Sequence, residues 1–278
     1  MNAAVFRVGP PVHTGHVTQA RVVLSEWTKF RSLRSTVYTF LVGVAATIVF
    51  AVVPAVINAA RWRTMSLQDK LAFNPLETSV IGVNVSQLAI GVLGVLMITG
   101  EYSTGMIRAT FTAVPRRLPV LWAKVGVYGV LTLLVSVPAT LVAFFAAQSI
   151  LAGHTLFGRD ISLSISAPGA ARVVVGGALY LTLVGLFGLG LGAIVRNTAG
   201  GIAVFAAILF VIPPVLTLLP SSWNDAISPY LPSNAGQAIM QFGLPDHTLA
   251  PWTGLGLFAG YTAGTIAAAA VLLWRRDV

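Results

Sequence analysis

Few side chains in this sequence could carry out chemistry, and none has the spacing of a known catalytic site. The histidines are His13, His16, His154 and His247, and no pair of them forms the HExxH arrangement that binds zinc. No GxSxG nucleophile elbow occurs, and no GxxxxGK run followed by Ser or Thr is present. The sequence therefore predicts a protein that is not an enzyme, binds no metal or cofactor of its own and cannot hydrolyse ATP in the P-loop manner.

Two amides and two prolines stand out inside apolar stretches. Asn84 and Gln87 are three residues apart, so they share a face of a helix. Because a buried amide in hydrocarbon must find a hydrogen-bond partner, this pair either lines a water-accessible path or ties helices together. Pro213 and Pro214 remove backbone donors and predict a kinked or unwound helix. Such a helix fits a gating element, although prolines are also frequent in membrane helices.

The composition places these residues in a lipid-embedded protein. Of the 278 residues, 56% are hydrophobic and only 9% are charged, whereas soluble domains carry about 25% charged residues. Six stretches reach the roughly 20 apolar residues that a membrane-crossing helix requires. Their central parts lack Asp, Glu and Lys, and Lys124 counts with the cytoplasmic end of the third. The predicted spans are 37–60, 80–100, 121–150, 172–195, 199–219 and 252–274.

The basic residues predict the orientation of these spans. If the N-terminus is cytoplasmic, twelve of the 17 Lys and Arg residues face the cytoplasm, and the net charge of +9 lies wholly on that side. The positive-inside rule therefore selects a multi-pass protein of the plasma membrane with both termini in the cytoplasm. It also accounts for the charge without a nucleic acid as partner. We expect a cytoplasmic tail at 1–18 and a single membrane domain at 19–278.

The stretch before the first span predicts an amphipathic helix. Val23, Trp27 and Phe30 fall on one helical face, at i, i+4 and i+7. The residues predicted for the opposite face are polar, namely Arg21, Ser25, Lys29 and Ser32. Tryptophan with basic residues on such a helix indicates an element that lies along the inner leaflet. An ordinary basic flank of the first span is the alternative.

The loop between the second and third spans predicts a short helix at 104–113, ended by Pro115. This helix would present Met106, Ile107 and Phe111 to a partner. Glu101 lies where the second span meets water, and a carboxylate there needs a cation within reach. The candidate cations are Arg31, Arg34 and Arg108. A solvated glutamate in an ordinary positively charged loop is the alternative.

Three segments together resemble the ABC-2 type permeases, especially those of high-GC Gram-positive bacteria. SEWTKFRSLRSTVYTF resembles the connecting helix of that family, GEYSTGMIRATFTAVPRR resembles its loop after the second span, and SPYLPSNAGQAI resembles its segment before the last span. The resemblance covers nearly the whole chain. It implies an all-α integral membrane protein with six transmembrane helices, an N-terminal amphipathic connecting helix and a cytoplasmic coupling helix between spans two and three.

The resemblance also implies partners and roles. Two permease chains, identical or different, would pair with two separate ATP-binding subunits, which would hold ATP and magnesium. Residues of the implied coupling helix are Glu101, Thr104, Gly105, Met106, Ile107, Arg108, Phe111, Arg116 and Arg117. Residues of the implied connecting helix are Trp27, Lys29, Phe30, Arg31 and Arg34, and Glu101 would bond a basic residue among them. The implied translocation path lies along spans two and five, at Asn84, Gln87, Pro213 and Pro214.

The function expected from these features is that of the membrane subunit of an ATP-driven exporter of a hydrophobic or amphipathic compound, such as a drug, an antibiotic or a lipid. An ion-coupled secondary transporter is the first alternative, but it needs a titratable group inside the spans, and the predicted span cores contain none. A membrane immunity or sensor protein that transports nothing is the second alternative.

Overall fold

The computed structural model describes residues 18–32, 34–106, 117–242 and 248–275. In chain order, the α-helices are α1 (Gln19–Ser32), α2 (Arg34–Arg61), α3 (Leu67–Ala72), α4 (Pro75–Ser103), α5 (Arg117–Leu151), α6 (Ala170–Val195), α7 (Thr198–Ala206), α8 (Ile212–Leu216), α9 (Ser221–Ile227), α10 (Pro232–Gln237) and α11 (Pro251–Arg275). A π-helical segment, Ala207–Val211, joins α7 to α8, and 3₁₀ turns span Ser228–Tyr230 and Ala238–Met240. Strands β1 (Thr155–Leu156) and β2 (Arg159–Asp160) form one short antiparallel hairpin.

Six helices are long and apolar enough to cross a membrane, which confirms the predicted all-α, multi-pass architecture. They are α2, α4, α5, α6, the broken helix Thr198–Leu216, and α11. Each overlaps a predicted span, because an uninterrupted apolar run of this length satisfies its backbone hydrogen bonds only as a helix when lipid surrounds it.

Asparagine caps and glycine turns set several helix ends. Asn74 Oδ1 accepts hydrogen bonds from the backbone N–H groups of Leu76 and Glu77, which fixes the start of α4. Asn197 caps α7 in the same way. At its other end α4 stops at Ser103, because Gly105 adopts a left-handed φ of +72°. Most of the helix predicted for 104–113 lies outside the described residues, which resume at Arg117.

Helices α4 and α6 form the centre of the bundle and approach each other through glycines. A Cβ atom built on Gly94 would lie 2.1 Å from the backbone oxygen of Gly185, and one built on Gly188 would lie 2.2 Å from that of Gly91. Only glycine permits this backbone contact, which is how helices pack tightly in lipid. The large side chains buried around the crossing include Ile90, Tyr128, Tyr180, Leu189, Phe205 and Phe258.

The fifth span is irregular where the sequence predicts it. The backbone N–H of Ile212 donates to the oxygen of Ala207, five residues back, so the hydrogen-bond ladder shifts to π spacing immediately before Pro213 and Pro214. Proline supplies no N–H and collides with the carbonyl four residues earlier, and the wider turn relieves that collision. The predicted break in the ladder is confirmed.

The segment between the fifth and sixth spans folds back into the bundle. Ser233, Ala235 and Ile239 are buried. A Cβ atom on Gly236 would lie 2.4 Å from the Tyr180 ring, and Tyr180 is ten residues, roughly 15 Å, along α6 from Ala170. Arg172 donates to the backbone oxygens of Ile239 and Gln241. The segment thus lies between α6 and α11.

Candidate functional site

Helix α1 packs against the start of α5. Its buried Val22 contacts Val120 and Ala123, and Gln19 Nε2 donates to the backbone oxygen of Pro119 at 3.1 Å. The face turned to the bundle continues from Val22 to Glu26. Val23 and Trp27, which the sequence placed on the apolar face, are 39% and 42% exposed. An α-helix thus occupies this stretch, and the face that packs against α5 is the one that carries Glu26.

Four charged side chains meet where α1, α4 and α5 converge, and we call them the ion cluster: Glu26, Lys29, Glu101 and Lys124. Lys124 Nζ lies 2.5 Å from Glu26 Oε2 and 2.7 Å from Glu101 Oε1. Lys29 Nζ lies 2.8 Å from Glu26 Oε1 and 3.0 Å from Glu101 Oε1. Each ammonium therefore bridges both carboxylates, and the cluster is electrically neutral.

The ion cluster is largely shielded from water. Lys124 and Glu26 are each 2% exposed and Glu101 is 8% exposed, so only Lys29 reaches the surface. Glu101 Oε2 is buried and has no hydrogen-bond partner among the described residues. Removing charges from water costs several kcal/mol per ion, roughly, and the pairing must offset that cost. Any movement that separates α1, α4 and α5 would leave buried charges unpaired, so the ion cluster makes these three helix ends move as one body.

Burial and the two carboxylates act in opposite directions on Lys29. Burial alone lowers the pKa of its ammonium, but the hydrogen bonds and charges of Glu26 and Glu101 outweigh that effect and raise the pKa above its ordinary value of 10.5. A raised lysine pKa means that the folded state binds the proton more tightly than the unfolded state. The stability contributed by Lys29 is then fully present below pH 10.5 and is lost as the pH rises through the raised pKa.

We expect Lys29→Met to destabilise the protein equally between pH 7 and pH 9, with a smaller effect above pH 10.5. Above pH 10.5 the lysine of the wild type loses its proton, so the stabilities of the two proteins become similar. Denaturant unfolding of both proteins in detergent, measured across this range, checks the expectation. A difference between the two proteins that already shrinks between pH 7 and pH 9 would contradict the assigned pairing.

The cations described beside Glu101 are Lys29, which belongs to the implied connecting helix, and Lys124. The side chains of the other candidate cations, Arg31, Arg34 and Arg108, lie outside the described residues. Lys124, which was counted with the cytoplasmic end of the third span, is buried within α5. Two weak signals pointed to the residues to which the sequence assigned no role in a site: Glu26 precedes Lys29 by one helical turn, and Lys124 stands alone in an apolar run.

The structure places the other predicted coupling residues only in part. Thr104, Gly105 and Met106 are exposed and directly follow α4. Arg117 begins α5, and the description does not extend to its side chain. Outside the described residues lie Ile107, Arg108, Phe111 and Arg116. Phe30 and Arg31 lie in α1 and Arg34 begins α2, but their side chains are likewise outside the description.

The two path candidates on α4 lie in different surroundings. Gln87 is buried, accepts a short hydrogen bond from the Tyr180 hydroxyl and donates to the backbone oxygen of Asn84 at 2.9 Å. Gln237 of α10 extends this chain to Tyr180 at 3.4 Å. The Asn84 side chain is exposed on the outside of the bundle. Gln87 therefore ties α4, α6 and α10 together, and Asn84 faces whatever surrounds the protein.

An arginine next to the ion cluster joins three more helix ends. Arg196, in left-handed conformation at the end of α6, donates to the backbone oxygen of Leu272 in α11 at 3.2 Å. Its guanidinium carbon lies 5.5 Å from the ring centroid of Tyr102, the neighbour of Glu101. Thr198 of α7 also bonds Thr99 of α4. The end of α4 is thus connected to α1 and α5 on one side and to α6, α7 and α11 on the other.

The chemistry available at this site is electrostatic. Within the described ranges no group of three or more metal-ligating side chains occurs. The ion cluster can hold helices in a fixed arrangement and can release them when one ion pair opens. A scan against protein-family models and a search of curated proteins both found no match to the chain. What the site can do therefore has to be argued from its geometry.

Proposed function

We propose that this chain is the membrane subunit of an ATP-driven transporter and that a separate ATP-binding protein hydrolyses the ATP that drives transport. The observation that carries the proposal is the buried ion cluster that fastens α1 to the end of α4 and the start of α5. Those two helix ends flank residues 104–116, the segment that resembles a coupling helix. A displacement of that segment would therefore be transmitted to the ion cluster first.

The ion cluster supplies a route from that segment into the spans. Glu101 lies two residues before the end of α4, and α4 runs from there through the glycine-lined crossing with α6. Such backbone-to-backbone packing does not deform gradually, so a displaced end moves the whole helix. Arg196 and Thr198 carry the same displacement to α11 and α7. One contact at the membrane face could thus rearrange most of the bundle.

The distribution of charge supports a cytoplasmic position for the ion cluster. The ends of the bundle near it carry Arg21, Lys29, Lys124, Arg196 and Arg275. The opposite ends hold as many acidic as basic residues in the topology of both termini inside. The positive-inside rule then directs residues 104–116 to the cytoplasm, where an ATP-binding protein could reach them.

We place the transport path between this chain and a second permease chain. The fifth span is the least buried of the six in the isolated chain, and Asn84 is an exposed amide ten residues into α4. An amide at that depth favours protein or water over lipid tails. The large exposed apolar side chains on the spans fit a hydrophobic or amphipathic substrate, and export is the direction that the resemblance implies.

The ion cluster also gives the ion-coupled alternative some support, because it contains buried titratable groups. Coupling sites of secondary transporters lie near the bilayer midplane, however. Glu101 lies two residues from the end of α4, and Lys124 lies in the second turn of α5. Its two ammonium groups and two carboxylates are also paired with one another. We therefore favour ATP-driven transport, and no observation favours a sensor or immunity protein.

We expect Glu101→Gln to separate ATP hydrolysis from transport. The amide keeps the shape of the side chain but removes the charge that holds both ammonium groups. Transport should fall about tenfold or more, in line with typical coupling energies, while the ATP-binding protein that co-purifies with the chain continues to hydrolyse ATP. Both rates are measured in the same proteoliposomes.

Glu77→Gln is the matched control, because Glu77 is exposed at the opposite end of the same helix. It should leave both rates near those of the wild type. Coupled transport by Glu101→Gln at the wild-type rate would remove the ion cluster from the mechanism. Transport by the purified chain alone, driven by a proton gradient without ATP, would overturn the proposed function as a whole.

A further inference from the structure

The β1–β2 hairpin presents an apolar side chain in an unfavourable conformation. Its two turn residues, Phe157 and Gly158, both have positive φ, at +51° and +76°, as a type I′ turn requires. Glycine and asparagine adopt that conformation readily, whereas a bulky residue there costs about 1–2 kcal/mol. Phe157 is also 77% exposed, so neither the backbone nor packing within the chain accounts for a phenylalanine at this position.

The hairpin is fixed in place. Trp62, itself buried, donates its indole N–H to the backbone oxygen of Thr155 at 3.0 Å. Asp160 accepts from the backbone N–H groups of Gly153 and Ser162, which lower the pKa of its carboxyl and keep it charged. Because the base of the hairpin is held by these bonds, the position of Phe157 is defined by the fold.

A neighbouring helix presents apolar side chains from the same anchor. Phe73, directly after α3, packs edge-on against the Trp62 ring, with centroids 5.5 Å apart. Leu67 and Leu71, one turn apart on α3, are 56% and 61% exposed. The hairpin and α3 are thus both held by Trp62. Together they expose three large apolar side chains just beyond the ends of α2 and α5. We call Leu67, Leu71 and Phe157 the rim surface.

The charges around the rim surface favour a phosphate-bearing partner. Two aspartates near the rim surface accept hydrogen bonds from their own segments. Asp69 accepts from the hydroxyl of Ser66, and Asp160 accepts from backbone N–H groups. Arg61, Arg63 and Arg159 make no ion pair among the described residues. Exposed arginines beside exposed leucine and phenylalanine are the combination found on elements that lie in the headgroup region of a bilayer.

We propose that the rim surface is a membrane-docking site, at which Phe157, Leu67 and Leu71 enter the polar–apolar boundary of the bilayer and the arginines bind phospholipid phosphates. The hairpin starts four residues after α5 ends, which places it within the headgroup layer of roughly 5–8 Å that flanks the hydrocarbon. Burial of Phe157 in that layer offsets the cost of its backbone conformation. The inference needs the spans to lie in lipid but not the proposed transport function.

The absence of cysteine makes a direct test possible. Single cysteines at Phe157 and Leu71 in the full chain, each carrying a spin label, are reconstituted in phosphatidylcholine–phosphatidylglycerol nanodiscs. Accessibility to oxygen, which concentrates in lipid, is compared with accessibility to a water-soluble nickel chelate. Ser166→Cys, exposed in the loop after the hairpin, is the aqueous control. We expect both rim positions to favour oxygen and the Ser166 position to favour nickel.

Two other outcomes would overturn the proposal. Nickel accessibility at position 157 equal to that at position 166 would place the hairpin tip in water. Immobilised labels shielded from both reagents would indicate a protein contact instead of lipid. A spin label at position 157 could itself disturb the hairpin, so Phe157→Asn serves as an unlabelled variant at that position. Asparagine is favoured in this type of turn, so the hairpin stays folded. With Phe157→Asn present, the label at position 71 should shift towards nickel, because the rim surface has lost its largest apolar contact.

Discussion

Lys124→Met should destabilise the folded chain more than any other single change in the ion cluster, by about 3–5 kcal/mol. The methionine fills the space of the lysine stem but leaves Glu26 and Glu101 buried with Lys29 as their remaining described partner. Total stabilities of single domains are about 5–15 kcal/mol, so a loss of this size should lower both the yield of folded protein and its midpoint of unfolding. Denaturant unfolding in bicelles measures it.

Two further variants separate the ion cluster from simple packing. Replacing both acids as well, in Lys124→Met with Glu26→Gln and Glu101→Gln, removes the unpaired charges and should recover much of the lost stability. Lys70→Met, whose ammonium lies 5.7 Å from the Trp62 ring centroid on the opposite side, should cost less than about 1 kcal/mol. A loss below 1 kcal/mol for Lys124→Met itself would show that the ion cluster does not hold these helices.

Gly188→Ala is the second change for which we expect a large effect, about 3 kcal/mol or more, at the upper end of the cost of overpacking. The added methyl group would lie 2.2 Å from the backbone oxygen of Gly91, and a backbone atom cannot turn aside as a flexible side chain can. Helices α4 and α6 must therefore separate by about 1 Å to restore a normal carbon–oxygen distance. Unfolding midpoints of the two purified proteins in the same detergent measure the loss.

Helix α11 offers the matched control for this substitution. Gly260 lies in an equally apolar helix, but nothing lies within 4 Å of a Cβ atom built on it. Gly260→Ala should leave stability unchanged or raise it by up to about 1 kcal/mol, because alanine restricts the unfolded chain more than glycine does. Equal losses in the two alanine variants would show that the α4–α6 crossing is looser than described.

The spans could be predicted from the sequence because their signal is local. An apolar run of twenty residues forms a helix in lipid whatever its neighbours are, and the predicted and observed spans agree to within a few residues at most ends. The break before Pro213 was predictable for the same reason, since proline disturbs the backbone directly around it. None of these features depends on which helices later come together.

The ion cluster could not be predicted in full because its members are far apart in the chain. Lys124 is 98 residues from Glu26 and 23 from Glu101. The packing of α1 on α5 is what brings Lys29 and Lys124 to Glu101. Periodicity indicated a helix with two faces and directed the apolar face to the inner leaflet, but it could not show that the bundle would bury the side chain of Glu26.

The inserted segment 228–240 restricts the order in which the chain can assemble. The segment packs against α6, at Tyr180, on one side and against α11 on the other. A Cβ atom built on Gly254 of α11 would lie 2.4 Å from the backbone oxygen of Ala235. The ribosome makes α11 after this segment. Until α11 is in place, the segment would expose its backbone to lipid tails, which is strongly unfavourable, so it has to wait at the bilayer surface. Helix α11 is therefore the element that allows residues synthesised before it to enter the membrane.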